Sequence, residues 1–215
     1  MFFRNIFFLF FSVQLSFSSC INANEYNVNP KIMNKETNLD TIVFGAGCFW
    51  CVEAVFQQLN GVLQVTPGYS GGFSKTPTYK EVCNGTTGHA EVAKIVFDPS
   101  LISLTKLVEV FFMTHDPTTL NQQGNDVGTQ YRSCVFCLNQ DQFKVVSYIK
   151  DKLNESQIWP KPIVTELALL EQFYEAENYH HNYYNNNKNQ GYCKYVIQPK
   201  LEKFKKVFSD EIKLK

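Results

Sequence analysis

The sequence of 215 residues is 44% hydrophobic, and its 20 basic and 20 acidic side chains give a formal net charge of zero. A chain of this length can bury the core of one domain and is short for two. The balanced charge provides no basic surface for nucleic acid or an anionic membrane, so nucleic acid is excluded as an expected partner.

The first 23 residues have the pattern of a secretory signal peptide. Arg4 precedes an apolar run at residues 6–17, and small residues continue to Ala23. The run is shorter than the ~20 residues that span a bilayer, which disfavours a membrane anchor. We expect an exported protein, periplasmic or secreted, cleaved after Ala23, with a lipid anchor at Cys20 as the alternative. The polar residues 24–40 predict a flexible lead-in.

Hydrophobic periodicity predicts one folded domain over residues 41–199. Strands are expected at residues 41–44, 62–65, 91–97, 129–138 and 163–170, and helices at 49–59, 104–113 and 140–153. Ser103 is the expected cap of the second helix, and the Gly/Pro-rich residues 67–77 predict a long loop. The charged residues 200–215 predict a short surface helix.

The order of these elements indicates an α+β fold. The series β-α-β-β-α-β up to residue 138 matches the split βαβ, ferredoxin-like sandwich, to which further strands and an irregular C-terminal tail are appended.

Two cysteines, Cys48 and Cys51, bracket Phe49 and Trp50 at the point where the first strand gives way to the first helix. A cysteine in the first turn of a helix faces unpaired backbone N–H groups and the positive end of the helix dipole, which favour the thiolate. We therefore expect Cys48 to be a nucleophile, with the two aromatic side chains lining an apolar pocket beside its sulfur.

Three kinds of cysteine chemistry compete for this pattern. The pairs Cys48-x-x-Cys51 and Cys134-x-x-Cys137 have the spacing of a zinc site, but an i, i+3 pair in a strand points to opposite faces. A thioredoxin-like couple has similar local spacing in a different order of strands. A thiol catalyst with one attacking and one resolving cysteine is the third reading.

A series of short motifs runs in order from about residue 42 to residue 199. The motifs are GCFW at residues 47–50, GYSGG at 68–72, PTY at 77–79, EVC at 81–83, GHAE at 88–91, HDP at 115–117, QGND at 123–126, GTQYRS at 128–133 and GYC at 191–193. This ordered set, which is far more specific than its first motif alone, resembles the A-type peptide methionine sulfoxide reductases.

The resemblance implies that Cys48 attacks the substrate and that Phe49 and Trp50 bind its methyl group. The general acid that meets the sulfoxide oxygen falls on Glu91. A sulfoxide is attacked at sulfur when its oxygen is protonated, which requires a neutral carboxyl group. Because Glu91 shares its strand face with apolar residues, we expect burial to raise its pKa.

Further roles follow from the same resemblance. The hydroxyls that assist the acid fall on Tyr79 and Tyr131, the supporting acidic residue on Asp126, and the resolving cysteine of the tail on Cys193. Many members carry Gly where this chain has Cys51. Because Cys51 lies one helical turn from the nucleophile, it can resolve the sulfenic acid directly, and the order in which the two cysteines act stays open.

The resemblance implies an enzyme that reduces the S epimer of methionine sulfoxide, free or in proteins, and so repairs oxidised proteins. No bound cofactor or metal is expected. Thioredoxin or another dithiol is the expected reductant, and the chain is expected to act as a monomer. The alternative is a binding module in which zinc occupies the two CxxC motifs.

Overall fold

A computed structural model describes residues 38–213; the expected signal peptide and residues 24–37 of the lead-in lie outside the described residues. The strands are β1 Asp40–Ala46, β2 Val62–Ser70, β3 Ala90–Phe97, β4 Gln122–Gln123, β5 Asp126–Val127, β6 Ser133–Cys137, β7 Glu166–Leu169 and β8 Phe173–Glu175. The helices are α1 Phe49–Phe56, α2 Tyr79–Cys83, α3 Leu104–Thr114, α4 Gln140–Glu155, α5 Tyr183–Asn186 and α6 Gln198–Val207.

Six of the strands form one sheet in the order β7-β6-β1-β3-β2-β8. Strand β3 lies between β1 and β2, so the β1-α1-β2 unit is split by an antiparallel strand, and β1 lies in the same way between β3 and β6. The edge strand β7 pairs with β6 in parallel, and β8 pairs with β2 in antiparallel. The α+β class predicted from the sequence is confirmed.

The main core lies on the face of the sheet that carries α1 and α3. Phe44 of β1 stacks on Phe111 of α3 with ring centroids 4.7 Å apart and lies 5.3 Å from Phe56 of α1. The neighbouring Val43 belongs to a smaller cluster on the other face, against which Phe173 of β8 packs. This alternation is the period of a strand. Helix α3 begins as predicted, because the Ser103 hydroxyl accepts the N–H of Lys106.

Strand β2 is longer than predicted, because it continues through Pro67 and Gly68, where the sequence pattern indicates a loop. Gly68 does not form a turn here. Its lack of a side chain allows β8 to approach β2 closely. A Cβ on Gly68 would lie 2.4 Å from the carbonyl oxygen of Tyr174, so only glycine allows β8 to pair at this position.

The strand predicted at residues 129–138 is shorter, because its first residues form a 3₁₀ turn, Thr129–Tyr131. The N–H of Tyr131 donates to the carbonyl of Gly128 at 3.0 Å, which closes the turn and withdraws these residues from the sheet. The strand predicted at 163–170 shortens to β7.

The charged C-terminal residues pack onto the domain. Leu201 and Phe204 of α6 are buried in the main core, and Ile212 forms an isolated bridge with Leu59 after α1. Within residues 38–213 we find no helix of sufficient length and apolar character to cross a membrane.

Candidate active site

The start of α1 and the middle of the sheet meet at Cys48 and Glu91. Gly47, with φ +84°, turns the chain from β1 into the helix, and Cys48 is the N-terminal cap. Glu91 of β3 is buried and accepts the backbone N–H of Phe49 on Oε2 at 3.0 Å. The first free N–H of the helix is therefore satisfied by the predicted acid.

Burial raises the pKa of Glu91 to about 8, and the hydrogen bond from Phe49 offsets part of this rise. The charge of Asp126 adds to it. The carboxyl group is therefore protonated at neutral pH, as its position among the apolar residues of β3 predicts.

The pKa values of the two thiols beside Glu91 do not follow the sequence prediction, which expected Cys48 to be the thiolate. Burial raises the pKa of Cys48 well above that of a free thiol, and the neighbouring Cys51 and Glu91 raise it further. A hydrogen bond from Cys48 lowers the pKa of Cys51 to about 7. The helix start therefore does not make Cys48 the thiolate, because burial beside a carboxyl group outweighs the N–H of Trp50 that faces its sulfur.

The structure brings Tyr79, Tyr131 and Asp126 to the same place. Burial raises the pKa of both tyrosines, and the charge of Glu91 raises it further. The two phenols therefore stay protonated near the acid and can donate hydrogen bonds. Asp126 acts electrostatically on both Glu91 and Tyr131. The polar residues predicted from the sequence therefore lie close together around Glu91.

Aromatic rings form the wall of the site. The ring of Phe49 is fully buried and stacks on Tyr79 at 6.2 Å. Trp50 is half-buried, stacks on Tyr183 at 3.7 Å with an interplanar angle of 5°, and donates from Nε1 to His180 Nδ1 at 3.0 Å. Phe49 and Trp50 thus belong to one aromatic cluster at the start of α1, and their lining of an apolar pocket stays a prediction.

Sequence reasoning missed His180 and Tyr183. They lie in the segment rich in Tyr, His and Asn that follows β8, which has no period to indicate a role. The identities of the residues were the only available signal, because aromatic and imidazole rings are suited to the wall of an apolar pocket. Burial lowers the pKa of His180 to about 4, so its ring is neutral.

Two carboxylates fix this segment in place. Glu53 of α1 is buried and accepts the N–H groups of Asn182 at 2.7 Å and Tyr183 at 3.2 Å. Glu177 accepts the hydroxyl of Tyr69 at 2.7 Å and the N–H of Tyr79 at 2.9 Å. The segment that carries His180 and Tyr183 is therefore tied to the first helix, to β2 and to the start of α2.

Of the two predicted resolving residues, Cys51 lies beside the nucleophile. Cys51 Sγ is 3.9 Å from the hydroxyl of Tyr192, which donates to Asp126 Oδ2 at 2.7 Å. Cys193 follows in a π-helical turn, Cys193–Ile197, and is fully buried. The sequence predicts an irregular C-terminal tail around Cys193. In the reduced state the cysteine instead packs in the core, because its π-helical turn continues directly into α6, whose apolar side chains are buried there.

The cysteine pairs do not form a metal site. In the described part of the chain, no group of three or more His, Cys, Asp or Glu side chains is arranged to hold a metal ion. Cys134 and Cys137 lie in clusters on opposite faces of the sheet, as their spacing in β6 predicts. All six cysteines in residues 38–213 are free thiols.

The arrangement combines a thiol, a protonated carboxyl group and an apolar aromatic wall. A small apolar group can pack against Phe49 and Trp50 while an attached oxygen accepts the proton of Glu91. Cys48 can then attack the atom that carries the oxygen. Cys51 is one helical turn away and can react with an oxidised Cys48.

Comparison with known proteins agrees with this geometry. The profile of the peptide methionine sulfoxide reductase family matches residues 40–212. A peptide methionine sulfoxide reductase MsrA of Trichodesmium erythraeum is 53% identical over 174 residues, covering 81% of this chain and 98% of the relative. One of Saccharolobus solfataricus is 51% identical over 176 residues, covering 82% and 98%.

Solved structures give the same result. The crystal structure of Mxr1 from Saccharomyces cerevisiae in reduced form has a TM-score of 0.67 and 36% identity, covering 72% of this chain and 89% of that chain. Methionine sulfoxide reductase A of Corynebacterium diphtheriae has a TM-score of 0.64 and 33% identity, covering 71% and 77%. The resemblance found in the sequence motifs is confirmed, and the chain belongs to the peptide methionine sulfoxide reductase family.

Proposed function

We propose that this protein reduces the S epimer of methionine sulfoxide, free or in proteins, to methionine, and so repairs oxidised proteins. The observation that carries the proposal is the contact between α1 and Glu91. This contact holds a carboxyl group that is protonated at neutral pH beside the Cys48 thiol and the aromatic residues Phe49 and Trp50.

In the first step the methyl group of the substrate packs against the aromatic wall, and the sulfoxide oxygen accepts the proton of Glu91. The phenols of Tyr79 and Tyr131 support the same oxygen. Cys48 Sγ attacks the sulfoxide sulfur, the oxygen passes to Cys48, and the thiol proton restores Glu91. The net change is sulfoxide plus thiol to thioether plus sulfenic acid, without a metal or a cofactor.

In the second step a thiol attacks the Cys48 sulfenic acid. The S–O bond breaks, the S–S bond forms, and the oxygen leaves as water. Cys51 makes this attack in our proposal, because it lies one helical turn from Cys48 and a hydrogen bond from Cys48 lowers its pKa. Cys193 then attacks Cys51 Sγ, which frees Cys48 and leaves a Cys51–Cys193 disulfide. A thioredoxin-like dithiol reduces this second disulfide.

We also propose that the protein is exported. The support is the sequence of residues 1–23, with its basic start, apolar run and small residues. Cell fractionation of the full chain and of a chain lacking residues 1–23 tests this. Export predicts that only the full chain leaves the cytoplasm and that its N-terminus is Asn24. An N-terminus at a lipidated Cys20 supports the alternative.

The decisive assay is dithiothreitol-dependent reduction of a racemic methionine sulfoxide, followed by chiral analysis of the sulfoxide that remains. We expect the S epimer to be consumed and the R epimer to remain. The Cys48→Ser variant should retain the wild-type circular dichroism and lose all reduction, whereas turnover near wild type in this variant would refute the assignment of the nucleophile. Stoichiometric zinc in the purified protein, with no consumption of either epimer, would support the zinc alternative instead.

A further inference from the structure

The proposed function leaves open how Cys51 loses its proton when it attacks the sulfenic acid. In the reduced site, a hydrogen bond from the Cys48 thiol lowers the pKa of Cys51. After the first step Cys48 carries oxygen and has no S–H group to donate. The partner of Cys51 that remains is the hydroxyl of Tyr192, 3.9 Å from Sγ.

The Tyr192 hydroxyl has one proton, and it donates this proton to Asp126 Oδ2 at 2.7 Å. Because this proton is engaged by Asp126, the Tyr192 oxygen can accept a hydrogen bond from the Cys51 thiol, 3.9 Å away. The three groups form a continuous chain from sulfur to phenol to carboxylate. Asp126 is partly exposed, so the end of this chain reaches solvent.

We propose that Tyr192 and Asp126 form a proton relay that activates Cys51 for the resolving step. Tyr192 accepts the thiol proton of Cys51 as it passes its own proton to Asp126. The phenol ends neutral, and its hydroxyl then donates to the new thiolate. This inference rests on the proposed function, because it assigns a role in the second half of the same cycle.

The step balances. The Cys51 thiolate attacks Cys48 Sγ, the S–S bond forms, and the S–O bond breaks. The departing hydroxide takes the proton of Glu91 and leaves as water. The proton that Cys51 released to Asp126 returns to Glu91 through solvent. The sum is sulfenic acid plus thiol to disulfide plus water, and it needs no additional oxidant or reductant.

Other groups near Cys51 can also influence its ionisation, and the test must distinguish their effects from the effect of the relay. Cys48 lies on the same helix, Glu91 faces the thiol from β3, Lys200 of α6 lowers the pKa of Cys51 by its charge, and Cys193 lies beside it. None of these is altered when the Tyr192 hydroxyl alone is removed. The ring of Tyr192 lies edge-on to Trp50 with centroids 5.9 Å apart, and phenylalanine keeps this contact.

The test measures disulfide formation in a Cys193→Ser background, where Cys51 is the only predicted resolving thiol. One equivalent of sulfoxide is added, the methionine formed reports the first step, and the loss of sulfenic acid, followed by a sulfenic-acid-specific trap, reports the second. The comparison is Tyr192→Phe. Tyr195→Phe is the matched control, because Tyr195 lies in the same helical segment and is 82% exposed.

We expect Tyr192→Phe to slow the second step at least about tenfold at neutral pH, within the range of a positioned proton acceptor, without changing the amount of methionine formed. The deficit should shrink as the pH passes the ordinary thiol pKa of about 8.5, because solvent then removes the proton. Asp126→Asn should show the same pH-dependent deficit when the rate of its second step is expressed relative to the rate of its own first step. Tyr195→Phe should behave as its parent.

Three contrary results have separate meanings. If Tyr192→Phe and its parent form the Cys48–Cys51 disulfide at equal rates over the whole pH range, the relay is wrong and the proposed function stands. If the parent forms methionine but no disulfide, Cys51 does not resolve and the relay is overturned with that assignment. A deficit that is independent of pH would show that Tyr192 has only a packing role.

Discussion

The carboxyl group of Glu91 lies against the first turn of α1, where its Oε2 accepts the N–H of Phe49 at 3.0 Å. This contact fixes the acid next to Cys48, which is the cap of the same helix. Backbone N–H groups at a helix start usually stabilise a carboxylate. Here burial outweighs that effect, and the pKa of Glu91 rises to about 8.

Glu91→Gln should slow the attack on the sulfoxide by roughly 10²–10⁴-fold, the usual contribution of a positioned acid. The amide preserves the size of the side chain and an oxygen that can accept the N–H of Phe49, so the fold should persist. The measurement is the rate of methionine formation in a single turnover. An unchanged rate would remove Glu91 from the mechanism.

The first step should depend on pH through the same group. Its active form is the protonated carboxyl group, so the single-turnover rate should be level below the pKa of about 8 and fall above it. The expected fall is about tenfold for each further pH unit. The fall should be absent in Glu91→Gln, which has no proton to lose. A rate that rises through this range in the wild type would indicate that ionisation of Cys48 controls the step instead.

Local sequence pattern predicted the placement of Cys48 and Glu91, whereas the other polar residues of the site came from the family resemblance. The alternation of β3 places Glu91 on the face that carries Ala93 and Ile95, and this face is buried. The glycine before Cys48 and the helical period after it predict a cysteine at a helix start, and Cys48 is the cap of α1. Each of these inferences depends only on neighbours in the chain.

The other half of the site depends on contacts between distant residues. Tyr183 lies against Trp50, 133 residues away in sequence, because Glu53 holds the start of α5. No local period indicates this contact. The same limit explains β2, where Gly68 has the local pattern of a turn and in fact permits close packing of β8.

Glu53 should act as a positioning residue for the aromatic wall. Both of its oxygens accept backbone N–H groups, from Asn182 and Tyr183, and burial raises its pKa above the ordinary value despite these bonds. Glu53→Gln replaces one acceptor with a donor that faces an N–H group. We expect the free energy of unfolding to fall by about 1–3 kcal/mol, the cost of an unpaired buried group.

The same substitution should also alter function, because the stacked pair of Trp50 and Tyr183 is displaced. The expected result is a higher KM with a smaller change in kcat, accompanied by a shift in tryptophan fluorescence. Glu109→Gln is the matched control, because this carboxylate lies in α3 and makes only a surface ion pair with Lys106. A loss of stability with unchanged KM and fluorescence would show that Glu53 stabilises the fold and does not position the aromatic wall.

The final prediction separates the two resolving cysteines. In Cys51→Ser one full turnover of sulfoxide should remain, because Cys48 and Glu91 are intact, but disulfide formation and repeated turnover should slow. In Cys193→Ser a Cys48–Cys51 disulfide should accumulate. Thioredoxin should reduce it poorly, because a bond between the cap and the first turn of a buried helix is hard for a partner protein to reach.

The burial of Cys193 adds a requirement to this prediction. The side chain of Cys193 is fully buried, and burial raises the pKa of its thiol. We therefore expect its π-helical turn to open before Cys193 reacts. The Cα atoms of Cys51 and Cys193 must then lie within ~7 Å for a disulfide to form. Oxidation of the wild type should therefore increase hydrogen exchange in residues 193–197, whereas oxidised Cys193→Ser should retain the exchange of the reduced state. Peptide mapping identifies the disulfide in each variant. If Cys193→Ser accumulates only sulfenic acid at Cys48, then Cys51 is a packing residue and the tail cysteine resolves alone.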